Sequence, residues 1–100
     1  MSDDITMNRI ETVVGSKHGL HARPAARVVE FCRGLEHAVT IGREGGPQIN
    51  PKSLAMLLAL DADFGERLVV ESADPDAAAR LADLIASELD REEEVEGSGS

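Results

Sequence analysis

The fold is decided around residues 19–25, which read Gly-Leu-His-Ala-Arg-Pro-Ala. Pro24 suits the first turn of a helix, because that turn needs no N–H from it and the fixed φ angle of proline is already helical. Gly34 is placed to end the same helix. Residues 22–33 are therefore predicted to form a helix whose apolar positions, three and four apart, face a core.

The segments on either side of this helix add four strands and two more helices. Alternating apolar residues predict a strand over 7–14, with Ile10, Thr12 and Val14 on one face. Similar patterns predict strands over 35–42, 47–50 and 68–72, and helices over 53–60 and 74–90. Pro47 restricts the third strand to a sheet edge. The order β-α-β-β-α-β-α predicts an α+β fold, with an antiparallel or mixed sheet and the helices on one face.

Length and composition favour one small globular domain and exclude several classes of partner. The chain has 100 residues, 42% of them hydrophobic, and a net charge of −9, which argues against nucleic-acid binding. It has two Phe and no Tyr or Trp, so it offers few aromatic rings for stacking bases or sugars. Its longest apolar run, 54–60, is far shorter than the roughly 20 residues of a membrane-spanning helix, and no membrane insertion is expected.

The single cysteine and the two ends of the chain bear on its location. Cys32 alone cannot form an intramolecular disulfide, which fits a reducing compartment. The acidic N-terminal residues lack a signal-peptide pattern. We therefore expect a cytoplasmic protein with a flexible extension over 1–6, a domain over 7–90 and a disordered acidic, Gly/Ser-rich tail over 91–100.

His21 lies where the first helix is predicted to begin, and that position has its own chemistry. The first N–H groups of a helix have no acceptor within it, and the helix dipole places partial positive charge there. Both effects favour the neutral, nucleophilic imidazole and would bind a phosphoryl group on the ring. Arg23 can add a charge-assisted hydrogen bond to phosphate oxygens. The pattern indicates a histidine that holds an anionic group.

Positive charge is concentrated around this histidine. Residues 12–29 contain no Asp or Glu. Their basic and titratable side chains are Lys17, His18, His21, Arg23 and Arg27. An otherwise acidic chain therefore has a cationic surface that suits an anionic group and an acidic partner. The spacing of His18 and His21 leaves a metal-binding pair open, but no Cys or carboxylate nearby completes a site, and neither a metal nor another cofactor is expected.

Residues 19–25 resemble the signature of HPr, the histidine phosphocarrier family of the bacterial phosphoenolpyruvate:sugar phosphotransferase system. Residues 49–54, Ile-Asn-Pro-Lys-Ser-Leu, resemble the family's segment around its regulatory serine. The resemblance extends over about residues 7–90. It implies an open-faced β-sandwich of four antiparallel strands and three helices, in agreement with the predicted order of elements.

The resemblance also implies a function and the residues that perform it. Phosphorylated enzyme I would donate a phosphoryl group to the Nδ1 (pros) nitrogen of His21, which would pass it to a sugar-specific enzyme IIA. Arg23 would assist the transfer, and Ala22, Arg23 and Pro24 would bind the phosphate. The protein would then be a stoichiometric carrier in sugar uptake and not an enzyme.

Docking and regulation follow from the same resemblance. Leu20, Arg27, Leu54 and Leu58 would form the surface that binds enzyme I and enzyme IIA. Ser53 would be the target of an HPr kinase/phosphorylase, and its phosphate would weaken enzyme I binding by adding negative charge. We expect the protein to be a monomer.

Two departures from the family pattern leave the phosphotransfer branch open. His18 stands where relatives commonly have Asn or Ser, and Asp61 stands where a glycine is common. One alternative to sugar uptake is a nitrogen-type or dihydroxyacetone-type phosphotransfer branch. Another is a Ser53-dependent cofactor of a transcription regulator, which the presence of His21 disfavours.

Overall fold

The computed structural model describes residues 8–87 and has the predicted order of elements. The elements are β1 (Asn8–Val13), α1 (Ala22–Arg33), β2 (Val39–Gly42), β3 (Gln48–Ile49), α2 (Leu54–Leu60), β4 (Arg67–Ser72) and α3 (Pro75–Ala86). The expected N-terminal extension over 1–6 and the expected tail over 91–100 lie outside the described residues. Within 8–87, no helix is long and apolar enough to cross a membrane.

The strands form one antiparallel four-stranded sheet in the order β1-β4-β2-β3. β3 lies at the edge, as its Pro47 predicts. Val70 of β4 pairs with Ile41 of β2, and both side chains are fully buried in the core. Side chains of a strand alternate between the two faces of a sheet. The next residue, Glu71, therefore lies on the opposite face, where its carboxylate contacts Arg9 at 3.2 Å.

All three helices contribute to a core on the buried face of the sheet. Fully buried side chains of this core include Val28, Cys32, Ile41, Leu57, Leu68, Val70, Leu81 and Ile85. Burial raises the pKa of the Cys32 thiol to about 11, so the thiol stays protonated near neutral pH and packs as a small apolar side chain. The arrangement confirms the expected open-faced sandwich.

The second and third strands are shorter than the sequence pattern predicts. β2 begins at Val39 rather than at 35, because Gly34 and Leu35 donate hydrogen bonds that close the end of α1. β3 covers only Gln48–Ile49 of the predicted 47–50. Pro47 has no N–H for the ladder, so pairing with β2 starts one residue later.

The last helix ends at Ala86, short of its predicted end at about 90, and residues 88–90 lie outside the described residues. Ser87 has an extended backbone, and its N–H and hydroxyl both donate to the carbonyl of Leu84. The carbonyl of Ile85 accepts the N–H of Gly15 at 3.0 Å. Helix propensity favours continuation, but this tertiary contact takes an acceptor that a longer helix would use.

α2 is short, and both of its ends are fixed by local interactions. At its start, the Ser53 hydroxyl oxygen accepts the N–H of Met56 at 3.2 Å, which makes Ser53 the N-cap. At its end, Asp61 has a φ of +50°, in the left-handed region. Glycine adopts that conformation without steric cost, and Asp tolerates it better than most residues. This requirement explains how Asp61 occupies a position where glycine is common in relatives.

Leu57→Ala is expected to destabilise the fold strongly, because Leu57 is the one fully buried side chain of α2. Truncating a buried leucine costs about 2–5 kcal/mol. Leu58→Ala, on the same helix but 40% exposed, is the matched control and is expected to change stability by less than about 1 kcal/mol. Urea denaturation followed by circular dichroism measures both. Equal losses would contradict the placement of α2.

Candidate functional site

The loop between β1 and α1 is fixed at its first residue by the end of α3. Gly15 donates its N–H to the carbonyl of Ile85 at 3.0 Å. A Cβ at this position would overlap the carbonyl oxygen of Ala86. Only glycine allows so close an approach of two backbones. The loop between β1 and α1 therefore begins at a fixed point on the sheet and helix scaffold.

The same loop is fixed a second time just before α1. Gly19 has a φ of +80°, and a Cβ there would lie 2.5 Å from the carbonyl oxygen of Ala62. That carbonyl instead accepts the N–H of Leu20 at 2.9 Å. The Leu20 side chain is 2% exposed and belongs to the core. The prediction that Leu20 takes part in docking is therefore wrong, because its side chain packs in the core and holds the loop against it.

His21 follows this anchor directly and is the N-cap residue of α1. Its backbone is extended, with φ −85° and ψ −166°, and its carbonyl accepts the N–H of Ala25 at 2.9 Å. Within the described residues its side chain makes no capping hydrogen bond, and the residue is exposed. The first turn of α1 contains no acidic residue. The ring is therefore presented to solvent at the positive end of a helix dipole.

The three residues expected to bind phosphate do not have equal roles. The N–H groups of Ala22 and Arg23 precede the first intrahelical hydrogen bond, which Ala25 donates. Both residues are exposed, next to His21. Pro24 is fully buried and has no N–H, so it cannot donate to a phosphate, and its assignment as a phosphate-binding residue is wrong. Pro24 instead fixes the geometry of the first turn.

A groove of about 360 Å³ lies between α1 and α2, beside the histidine. Its lining residues are Arg23, Ala26, Arg27, Val29, Glu30, Arg33 and Leu54. Three guanidinium groups against one carboxylate make it cationic. The predicted docking residues Arg27 and Leu54 thus line the same groove as Arg23. Leu58 does not line this groove, although it is as exposed as Leu54, at 40%.

The connection between α2 and β4, which contacts the loop through Ala62, is joined to the β2–β3 turn by an ion pair. Arg43 bonds Glu66 through Nη2 at 3.0 Å and also through Nε. The hydrogen bond from Arg43 lowers the pKa of Glu66, and the backbone N–H of Asp63 lowers it further. Because the folded-state pKa is depressed, this stabilisation is present at neutral pH and is lost as the pH falls through that value.

Comparison with known proteins identifies the family. The model of the family described as "PTS HPr component phosphorylation site" matches residues 8–87, which is the whole described domain. The chain belongs to the HPr family. HPr-family proteins are phosphocarriers of the phosphotransferase system, which confirms the resemblance seen in residues 19–25 and 49–54.

Individual HPr-family relatives agree with this assignment. Phosphocarrier protein NPr of Escherichia coli K12 is 33% identical over 73 residues, which cover 73% of this chain and 81% of that protein. Phosphocarrier protein HPr of Streptomyces coelicolor is 39% identical over 80 residues, covering 77% and 86%. The crystal structure of an HPr from Bacillus anthracis matches with a TM-score of 0.74 and 25% identity, covering 80% of this chain and 98% of that one.

The HPr-type site has a second histidine next to His21, which the sequence analysis placed in the cationic surface but gave no role in phosphate binding. The ring of His18 lies 6.0 Å from that of His21, centroid to centroid, and is tilted by 59°. Both residues are exposed. Among the described residues, no three His, Cys, Asp or Glu side chains are grouped as metal ligands would be. The groove residues Ala26, Glu30 and Arg33 were also missed, although they follow Arg23 at helical spacing.

Gly19→Ala is expected to disturb the site through its backbone. The φ of +80° and the overlap with the Ala62 carbonyl both oppose a side chain, so a loss of about 1–3 kcal/mol is expected. The control is Gly45→Ala, which has a similar φ of +78° but open space around it. Thermal denaturation gives the stability of each variant. A loss no larger than that of the control would mean that the Ala62 contact does not position the loop.

Proposed function

We propose that this phosphocarrier holds its phosphoryl group on Nδ1 of His21, accepts it from phosphorylated enzyme I and passes it to a sugar-specific enzyme IIA. The observation that carries the proposal is the exposed His21 ring at the N-cap of α1. Its position is fixed by the backbone contacts of Gly19 and Leu20 with Ala62. A backbone fixed in this way aligns the ring nitrogen with the phosphorus atom, as phosphoryl transfer requires.

The transfer moves the phosphoryl group from an atom of the donor to a ring nitrogen of the acceptor. The lone pair on Nδ1 of His21 attacks phosphorus while the bond from phosphorus to the donor atom of enzyme I breaks, and that atom keeps the electron pair. The phosphoryl oxygens then meet the N–H groups of Ala22 and Arg23 at the start of α1, and the Arg23 guanidinium adds positive charge. The protein is itself the acceptor of one phosphoryl group and then its donor, so it acts as a stoichiometric carrier rather than an enzyme.

Partner docking is proposed for the α1–α2 face beside the histidine. Arg27 and Leu54 line the cationic groove, and Leu58 adds exposed apolar area. An apolar centre with charged surroundings is typical of transient protein interfaces. The excess of guanidinium groups favours partners with acidic docking surfaces, and long-range attraction to them speeds encounter.

His21→Ala is expected to abolish phosphoryl incorporation from phosphoenolpyruvate and enzyme I. The wild-type protein is expected to take up one acid-labile phosphoryl group, because a P–N bond is the only link formed. His37→Ala is the control, since His37 is exposed and lies near Asp74, away from the α1 N-terminus. Intact-protein mass spectrometry counts the groups. Full incorporation into the His21 variant would overturn the proposed site.

The nitrogen-type branch is the second candidate, because a protein named NPr is 33% identical over 73 residues. A dihydroxyacetone-type branch is a further alternative from the sequence. Phosphorylated protein is mixed separately with a sugar-type and a nitrogen-type IIA, and the rate of phosphoryl transfer to each is measured. The two rates distinguish the sugar branch from the nitrogen branch. Faster transfer to the sugar-type acceptor supports the proposal, and faster transfer to the nitrogen-type acceptor replaces it.

Regulation through Ser53 is proposed as a second modification, by an HPr kinase/phosphorylase. Ser53 is half-buried, caps α2 and directly precedes Leu54 in the groove. A phosphate there adds about two negative charges beside a cationic docking face, so it opposes an acidic partner. The same modification would be required if the protein also served as a cofactor for a transcription regulator.

Ser53→Asn separates capping from phosphorylation, because Asn retains an acceptor for the Met56 N–H but has no hydroxyl. It is expected to keep stability and to lose ATP-dependent, acid-stable phosphorylation by the kinase. Ser53→Ala loses both, with a stability cost of about 1 kcal/mol. Phosphorylation of the wild type should weaken enzyme I binding in titration calorimetry. An acid-stable phosphate that persists in Ser53→Asn would refute the assignment.

A further inference from the structure

We propose that His18 takes up a proton when His21 is phosphorylated and binds the phosphoryl group as an imidazolium, which makes the phosphorylated state of this carrier dependent on pH. The inference rests on the proposed function of His21. It assigns a phosphate-binding role to a side chain at which this chain departs from the common family pattern.

The geometry places the two rings close enough to share one phosphoryl group. Their centroids are 6.0 Å apart and the planes are inclined by 59°, so the rings are not stacked. Both residues are exposed, which leaves room for the group between them. The turn that carries His18 is closed by a hydrogen bond from Gly19 N–H to the carbonyl of Ser16 at 2.9 Å. At this ring separation, a phosphoryl group bonded to His21 could accept a hydrogen bond from a ring nitrogen of His18.

The charges around this turn show what the phosphoryl group would change. The charged and titratable groups on the turn, in the first turn of α1, in the α2–β4 connection and in the last turn of α3 are Lys17, His21, Arg23, Asp61, Asp63, Glu66 and Asp83. The carboxylates of Asp61, Asp63 and Glu66 are attracted to Arg43. A phosphoryl group on His21 would bring about two negative charges to a ring whose centroid lies 6.0 Å from that of His18.

Proton binding and phosphorylation are then linked. A negative charge within about 4–6 Å favours the protonated form of an imidazole. By reciprocity, a protonated His18 favours the phosphorylated form of His21. This stabilisation of the phosphorylated form is present at pH values where His18 is protonated in the phosphorylated protein. It is lost as the pH rises and that ring loses its proton. Asn or Ser, common at this position in relatives, can donate a hydrogen bond but cannot titrate.

The matched variant is His18→Asn, which keeps a hydrogen-bond donor and removes the ionisable ring. His37→Asn is the control for replacing an exposed histidine elsewhere. Each protein is equilibrated with enzyme I, phosphoenolpyruvate and pyruvate from pH 5.5 to 8.5, in buffer that contains Mg²⁺ and is freed of transition-metal ions so that none bridges the rings. Phosphorus NMR gives the phosphorylated fraction. Comparing variants at each pH removes the titration of the phosphoryl group itself.

At pH 5.5, the ratio of phosphorylated to unphosphorylated protein is expected to be about threefold higher for the wild type and for His37→Asn than for His18→Asn. At pH 8.5, the ratio is expected to be the same for all three proteins. In nitrogen-15 NMR, the His18 ring signals should titrate at higher pH after phosphorylation. A fold-difference in this ratio between the wild type and His18→Asn that is the same at every pH, while all three proteins are phosphorylated on His21, would overturn this inference alone. Absence of phosphorylation on His21 in all three would overturn the proposed function and this inference with it.

Discussion

The site depends on one backbone contact, in which the Ala62 carbonyl accepts the N–H of Leu20 while Gly19 packs against the same oxygen. It fixes the residue before His21, so the ring has little freedom beyond its own side-chain torsions. The buried Leu20 side chain secures the contact from the core side. The packing of the sheet and helices therefore also restricts the position of a solvent-exposed imidazole.

Much of this arrangement could be predicted from sequence, because the relevant signals are local. Pro24 in a first helical turn and Pro47 at an edge strand act through the restricted backbone of proline, and the structure agrees at both. Gly34 is the C-cap of α1, as predicted, with a φ of −85° that any residue can adopt. The order of elements and the place of His21 follow from them. The HPr assignment depends on the same stretch of residues.

What sequence reasoning missed depends on contacts between distant segments. Leu20 looks like an exposed loop residue until the α2–β4 connection covers it. The end of α3 is set by Gly15, some seventy positions earlier in the chain, and not by helix propensity. The cationic groove requires α1 and α2 to pack side by side. No local pattern contains that information.

The contact between Gly15 and the end of α3 also determines where attachments to this domain would lie. β1 runs from Asn8 to Val13, and α3 ends beside Gly15, just after the far end of that strand. Asn8 therefore lies at one end of the sheet and Ser87 at the other, near the loop that carries His21. A fluorescent label on the side chain of residue 87 would report partner encounters that a label on residue 8 would not.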